Sequence, residues 1–366
     1  MQILKAKNRV PVKIDDDIIT VKEGYKYVVP NHLGVSFEGS PYFETEDFIN
    51  KKEVPGPVDY TDKKITTIRT GGFGDLMFIA RSLMEIKSKF KGTYIEFATA
   101  PRFSSLVREF FYPDIVDEVS TILLPYTHYE KCDYFVSFEG FIEDNKEACK
   151  TNAFTLIAEQ KFFIDIGLDH TVPLKIPTKY LEQAETISST WDSPVIAMQV
   201  KASAVLRTYP YPYQNRLIHL LGKRGFKVLL LDKQSNLEGM FKTEIYDKEA
   251  MEHILTPYSD NIPGSLGLSI ALSQKSKMIV TPDSFFTYVG DSLGIPTLVI
   301  FSPVGSMFRA SGLNVYALDV VEGCYNCAKH GISPCHWSND SWSPCLKAVM
   351  PEFVEYSVFE ILEGRK

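Results

Sequence analysis

The stretch TTIRTGGFGDLMFIARSL, Thr66 to Leu83, sets three glycines and an aspartate between two apolar runs. Lys63 to Ile68 is short and β-branched, whereas Leu76, Ile79, Ala80, Leu83 and Ile86 recur at helical spacing, so the glycines fall in a strand-to-helix turn. Ligands of α/β sheets are met at such turns. A Walker loop would end in Gly-Lys-Ser/Thr, but Gly74 is followed by Asp75 and Leu76, which excludes ATP hydrolysis by this loop. The spacing of GGFGD also fails the G-x-G-x-x-G dinucleotide fingerprint. What remains is a Gly-rich turn that presents a carboxylate at a helix N-terminus. Asp75 could serve there simply as a cap beside the helix dipole. Gly71, Gly72 and Gly74 argue for more, because they cost backbone entropy that a cap does not require and let another molecule approach the main chain.

Outward from this turn the chain alternates strand and helix. After ITTIRT and the helix from Leu76 to Phe90 come the strand TYIEFAT, a helix around Phe103 to Phe111, the strand DYFVSF and helical AFTLIAEQKFFIDIGL, 153–168. That alternation predicts a parallel sheet with helices on its faces. A second series starts near Ser193: strand PVIAMQV, helix YQNRLIHLLGKRG, strand KVLLLD, helix SLGLSIALSQ, strand KMIVTPD, helix FFTYVGDSLG and strand PTLVIFSP. Residues before 60 differ, with short alternating runs (VPVKI, DIITV, YKYVVP) that predict a small β unit, followed by the charged, Pro-containing linker NKKEVPGPVDYTDKK. The expected division is a β unit over 1–60, one Rossmann-like domain over 61–185 and another over 186–366, with a cleft between the two.

Composition fits a folded globular protein: 366 residues suffice for two full cores, and no apolar run approaches the length of a membrane helix. The N-terminus lacks a signal-peptide apolar region, so a cytoplasmic setting is expected. A net charge of −7 argues against a protein whose main task is non-specific nucleic-acid binding. The aromatic cluster RTYPYPYQNR, Arg207 to Arg216, has two readings, loop packing or the lining of a sugar or partner surface.

The order and spacing of RTGGFGD, VIAMQVKASAVLRTYPYP and TPDSFFTYVGDSLGIPTLVIFSP resemble glycosyltransferase family 9, the heptosyltransferases, over about Lys64 to Val354. The family pattern is an R-x-x-G-x-G-D turn, a K-x-W-P segment after a strand, and an Asp-Ser/Thr segment that runs on through His to Leu-Gly-x-Pro. The resemblance implies a GT-B fold, an inverting transfer from a nucleotide-sugar without a catalytic metal, and a donor held mainly by the second domain; the alternatives are a catalytically inactive sugar-nucleotide-binding or assembly protein and a GT-B epimerase. Asp75 matches the family's proposed base, which deprotonates an acceptor hydroxyl, and Gly72 and Gly74 would let acceptor and sugar approach.

Arg207 takes the place of the family lysine on the donor diphosphate, with Tyr209 and Pro210 replacing Trp-Pro. Arginine keeps the charge and adds a fork suited to phosphate. Lys201 and Ser203, just past the strand, are second donor contacts or part of a solvated basic loop. Asp283 and Ser284 match the family Asp-Ser/Thr, and backbone N–H groups from Ser284 to Thr287 would face the diphosphate at a helix N-terminus. Phe285 stands where the family has a small residue and Tyr288 where it has histidine, both beside the donor sugar. Glu139, in VSFEGF, is an acceptor-side candidate or an ordinary exposed glutamate. An ADP-sugar is the favoured donor, and the acceptor is a glycan, a protein or a modified nucleobase. A homo-oligomer is compatible with this reading.

Cys324, Cys327, Cys335 and Cys345 lie in CYNCAKHGISPCHWSNDSWSPCL, beside His330 and His336. The C-x2-C pair has thiolate-chelate spacing, and two more cysteines complete a four-sulfur set over 324–345. Family relatives that glycosylate autotransporter proteins hold iron with four cysteines in a similar place, next to an N-terminal β domain. The expectation is a structural iron or zinc, with reduced thiols as the alternative.

Overall fold

Arg69 ends a strand whose neighbours are all parallel to it, and that strand organises the first half of the protein. The computed structural model describes residues 1–145, 147, 150–256, 264–310, 312–319, 335, 338 and 342–364. They form two units, Met1–Ala148 with Ala153–Leu168, and Cys149–Asn152 with Asp169–Lys366.

In the first unit, strands β1 (Gln2–Ala6), β4 (Lys26–Val29), β5 (Phe43–Asp47) and β9 (Leu124–Pro125) make an antiparallel sheet in the order β5-β1-β4-β9. The early β strands therefore pair with a strand from far along the chain. A separate hairpin joins β2 (Val10–Ile14) to β3 (Asp17–Val21), with Ile14 opposite Asp17 and Asp15 left-handed at φ 53°. Aspartate tolerates that conformation through local hydrogen bonding.

The parallel sheet of this unit contains β6 (Lys64–Arg69), β7 (Tyr94–Thr99), β8 (Glu118–Thr121) and β10 (Tyr134–Ser137), in the order β10-β6-β7-β8. Residues Ile65 to Arg69 and Ile95 to Thr99 are buried without a break, as parallel strands covered on both faces must be. The Phe73–Lys89 helix buries Leu76, Met77, Phe78, Ile79, Ala80, Leu83 and Ile86. It starts three residues before the apolar period, because Gly72 supplies the extended cap (ψ 145°) and the turn closes at once.

The helix expected over 153–168 is shorter. Ala153–Ile157 continues as π turns only to Phe162, whose carbonyl accepts a 2.8 Å hydrogen bond from the buried Tyr60 hydroxyl, and Phe163 reverses to φ 54°.

The second unit is built on a six-stranded parallel sheet of β11 (Val195–Gln199), β12 (Lys227–Leu231), β13 (Ile254–Leu255), β14 (Met278–Pro282), β15 (Thr297–Phe301) and β16 (Val315–Asp319). Its order is β13-β12-β11-β14-β15-β16. Counted within the sheet this is 3-2-1-4-5-6, and the first unit's sheet is its 3-2-1-4 counterpart. Ile196, Met198, Val228, Leu230, Val280, Leu298 and Ile300 pack with Leu217, Ile218 and Leu221 of the Tyr211–Lys223 helix and with Val354 and Val358 of the Pro351–Leu362 helix. Among the described residues no helix is long and apolar enough to cross a membrane.

Candidate functional site

In each parallel sheet the strand order reverses at one place, and ligands of open α/β sheets bind outside the carboxyl ends of the strands there. The reversal lies between β6 and β10 in the first unit and between β11 and β14 in the second. Asp75, Glu139, Arg207 and Asp283 lie in the segments that follow those four strands.

At the β6 end, Asp75 occupies the first turn of the Phe73–Lys89 helix but does not cap it. Its Oδ2 accepts a 2.5 Å hydrogen bond from Arg69 Nη2. Arg69 is 2% exposed, and the same Nη2 donates at 2.5 Å to Glu143 Oε1, while Nη1 donates to Phe138 O (2.7 Å) and Glu143 Oε2 (3.3 Å). Burial works against its charge, but Asp75 and Glu143 outweigh it and hold the guanidinium proton more firmly than usual. Asp75 Oδ1 has no hydrogen-bond partner among the described residues.

The glycines have separable roles. A Cβ on Gly71 would lie 2.4 Å from Arg69 Nη2, so Gly71 makes room for the guanidinium, and Gly72 caps the helix, its own hypothetical Cβ 3.7 Å from Asp75 Oδ2. Gly74 lies in the first helical turn, partly exposed. Glu139 is committed to this turn: its oxygens accept from Thr70 N (2.5 Å) and Thr70 Oγ1 (2.7 Å), with His32 Nδ1 4.0 Å away. The ends of β6 and β10 are thereby tied at two points.

At the second reversal, Arg207 Nη1 donates to Asp283 O at 2.9 Å and lies 3.5 Å from Asp283 Oδ2, and Nη2 donates to Ser203 Oγ at 2.5 Å. Arg207 Nε is buried without a hydrogen-bond partner among the described residues. Lys201 and Ser203 are exposed and Asp283 is buried. Ser284 precedes the Phe285–Leu293 helix but does not cap it, because its hydroxyl donates to Gln199 Oε1, which also accepts from Thr281 Oγ1 at 2.9 Å. The first amides of that helix are left without a side-chain cap, and buried Thr287 Oγ1 has no partner among the described residues. This is an anion-seeking end. Phe285 and Tyr288 are 7% and 3% exposed, so most of each ring is packed inside the unit.

The RTYPYPYQNR aromatics are packing residues. Tyr209 is buried and its hydroxyl donates to Val349 O at 2.7 Å, Tyr213 OH donates to Lys347 O at 3.2 Å, and Tyr211 meets Trp342 edge-on with centroids 5.0 Å apart. Cys335 is buried, and Cys345 Sγ lies 2.5 Å from Ser302 Oγ; both are free thiols. Cys324 and Cys327, like His330 and His336, lie outside the described residues.

Some polar residues escaped the sequence reading. Arg69 was signalled by its place at the strand end, whereas Glu143, Gln199 and Thr281 act through pairings that only the fold creates. Fully buried Glu96, on β7, pairs with His128 Nδ1 (2.5 Å), Ser120 Oγ (2.5 Å), Thr66 Oγ1 (3.1 Å) and Lys64 Nζ (3.4 Å). Glu118 completes a trio of ligand-type side chains there. The Lys64 ammonium, the His128 ring and two hydroxyls already satisfy Glu96, which makes the group an internal polar cluster.

No family model matches the sequence, and no curated protein is significantly similar to it. Solved structures are similar in fold. Glycosyl transferase family 9 from Veillonella parvula DSM 2008 aligns with a TM-score of 0.63 at 14% identity, over 84% of this chain and 99% of its own. The ADP-heptose LPS heptosyltransferase II of E. coli aligns at 0.61 and 14%, over 82% and 99%. The iron-containing dodecameric glycosyltransferase TibC from enterotoxigenic E. coli H10407 aligns at 0.59 and 14%, over 99% and 91%, and a further TibC structure holds ADP-D-β-D-heptose. At these identities the likeness shows the fold, the two-unit GT-B architecture of heptosyltransferases.

Proposed function

We propose that the protein is a glycosyltransferase that moves a sugar from an ADP-sugar to an acceptor hydroxyl, with inversion and without a catalytic metal. The observation that carries the proposal is Asp75: a carboxylate at the strand reversal, one oxygen held by Arg69 and the other without a partner among the described residues. In this reading Asp75 Oδ1 takes the proton of the acceptor hydroxyl as that oxygen attacks the anomeric carbon. The glycosidic bond forms as the bond from the anomeric carbon to the diphosphate breaks. Arg207 and the uncapped first amides of the Phe285–Leu293 helix receive the negative charge that the departing diphosphate gains. Lys201 and Ser203 add donor contacts, Asp283 holds Arg207 in place, and Phe285, Thr287 and Tyr288 shape the sugar end. Gly72 and Gly74 admit the acceptor, and Glu139 borders it.

The expected Cys324, Cys327, Cys335 and Cys345 set would hold iron or zinc as a cross-link for a loop poor in apolar residues. Its support is the thiolate spacing, two free thiols in the described part and the iron of TibC. Assembly as a homo-oligomer belongs to the same proposal, with the TibC dodecamer as its precedent.

The test is a thermal-shift screen with ADP-, UDP-, GDP- and CDP-sugars, followed by turnover of Asp75→Asn. The ADP-sugar should raise the melting temperature by mass action. The variant should keep that shift and lose turnover by about 100-fold or more. Arg207→Ala should weaken donor binding and slow transfer together. Near-normal turnover by Asp75→Asn would remove the base from the mechanism.

A further inference from the structure

Arg69 serves two carboxylates through one nitrogen. Nη2 lies 2.5 Å from both Asp75 Oδ2 and Glu143 Oε1, and Glu143 alone also reaches Nη1, at 3.3 Å. Glu143 therefore engages the fork from two sides, whereas Asp75 has one contact. The guanidinium is buried, with Nε unpartnered among the described residues, so it cannot trade these carboxylates for water. Glu143 is different: its side chain is 48% exposed, and it sits in the short Phe141–Asp144 helix, which follows Gly140 in left-handed conformation (φ 70°). A glutamate so open to solvent gains little by being tied to a buried arginine, unless the tie serves the arginine.

We infer that Glu143 is a positioning residue for Asp75: by sharing Arg69 it fixes the guanidinium in the plane that presents Asp75 Oδ1, and it takes part of the cationic charge that would otherwise fall on Asp75 alone. The inference rests on the reading of Asp75 as the base. Without Glu143, Arg69 would keep only Asp75 and Phe138 O, and its full charge would favour the ionised carboxylate, making Asp75 a poorer proton acceptor. Without Arg69, Asp75 would lose both its anchor and its counter-charge. Among the described residues, other charged groups around this turn are Glu139, spent on Thr70, His32 and the Met1 amine beside Glu139, Asp144 next to Gly140, and Lys161, whose ammonium stands 4.5 Å from the Phe141 ring centroid. None of them replaces Glu143 on the fork.

The experiment is a pH titration of the Asp75 carboxyl carbon by NMR in the full chain, with the signal assigned by its loss in Asp75→Asn. In Glu143→Gln the midpoint should move to lower pH, by about tenfold in proton concentration, and in Arg69→Met to higher pH, because an opposite charge favours the ionised form. Glu143→Asp should return the midpoint towards that of the parent protein. An unchanged midpoint in Glu143→Gln, with the protein folded, overturns the inference whatever Asp75 does in catalysis. Conversely, a shifted midpoint beside undiminished turnover in Asp75→Asn would leave the electrostatic coupling standing and defeat the assignment of Asp75 as base.

Discussion

Gly71 illustrates how a single residue reads differently in sequence and in structure. The glycines of RTGGFGD suggested open backbone for a ligand, but at Gly71 the space belongs to the protein's own arginine. Arg69 is fixed by three acceptor residues, so a methyl group 2.4 Å from Nη2 cannot be absorbed by a flexible tail. Gly71→Ala should leave the circular dichroism spectrum intact and reduce turnover at least tenfold, measured beside Asp75→Asn.

A second residue-scale prediction concerns Asp291. This buried side chain accepts from Thr171 Oγ1 at 3.2 Å, and Gly312 (φ 82°) crosses so closely that a Cβ there would meet Asp291 Oδ1 at 1.7 Å. Burial pushes its carboxyl up to about 6, above the ordinary range, so folding favours the protonated form. That contribution is full below about pH 4 and is lost as pH rises through about 6. Asp291→Asn should therefore stabilise the protein at pH 7.5 by up to about 3 kcal/mol, since each tenfold change in proton affinity between folded and unfolded chains is worth about 1.4 kcal/mol. The gain should fade towards pH 4 in urea titrations. Nothing in the sequence marked Asp291, because its surroundings come from distant segments on both sides of it, around Thr171 and Gly312.

Elements were legible where a period was long. The Phe73–Lys89 and Tyr211–Lys223 helices and the inner strands of both sheets lie where apolar spacing predicts them. The segment from 153 misled because its apolar residues keep helical spacing to 168, while the Tyr60 hydroxyl and Phe163 stop the helix at 162. Periodicity reports which residues are buried, not where a distant side chain ends an element. Polar residues inside a strand are equally opaque. Glu96 stands among apolar neighbours on β7, and its partners come from β6, β8 and the Tyr126–Lys131 helix. Burial would raise its carboxyl, but the hydrogen bonds from Ser120 and His128 prevail and lower it. The stability this provides is present above the ordinary carboxylate value and is lost as pH falls through the depressed one. His128→Ala should cost about 1–3 kcal/mol near neutral pH, the range for removing one partner of a buried polar group, measured by urea unfolding. A loss under about 0.3 kcal/mol would show that Lys64 and the hydroxyls suffice.

For the whole molecule, the alternation of strands and helices made a two-sheet α/β architecture legible, and the order of three short motifs indicated the GT-B fold. The strand order itself was not legible, since no local pattern says which neighbour a buried strand takes. It is this order that puts Asp75 and Arg207 at equivalent points of two sheets. At the same scale, Cys324, Cys327, Cys335 and Cys345 should carry about one equivalent of iron or zinc. Elemental analysis of protein purified without chelators, and again after Cys335→Ser, checks this. Retention of a full equivalent by the variant would exclude Cys335 as a ligand.

The loop that carries Arg207 is braced from the far end of the chain: Ser343 Oγ donates to Leu206 O at 3.3 Å, and Tyr209 reaches Val349 O. These partners are separated by 137 and 140 residues. During synthesis, then, the β11 strand and its loop emerge long before the segment that steadies them, and the Arg207 loop takes its final shape only once residues 343 to 349 have joined it.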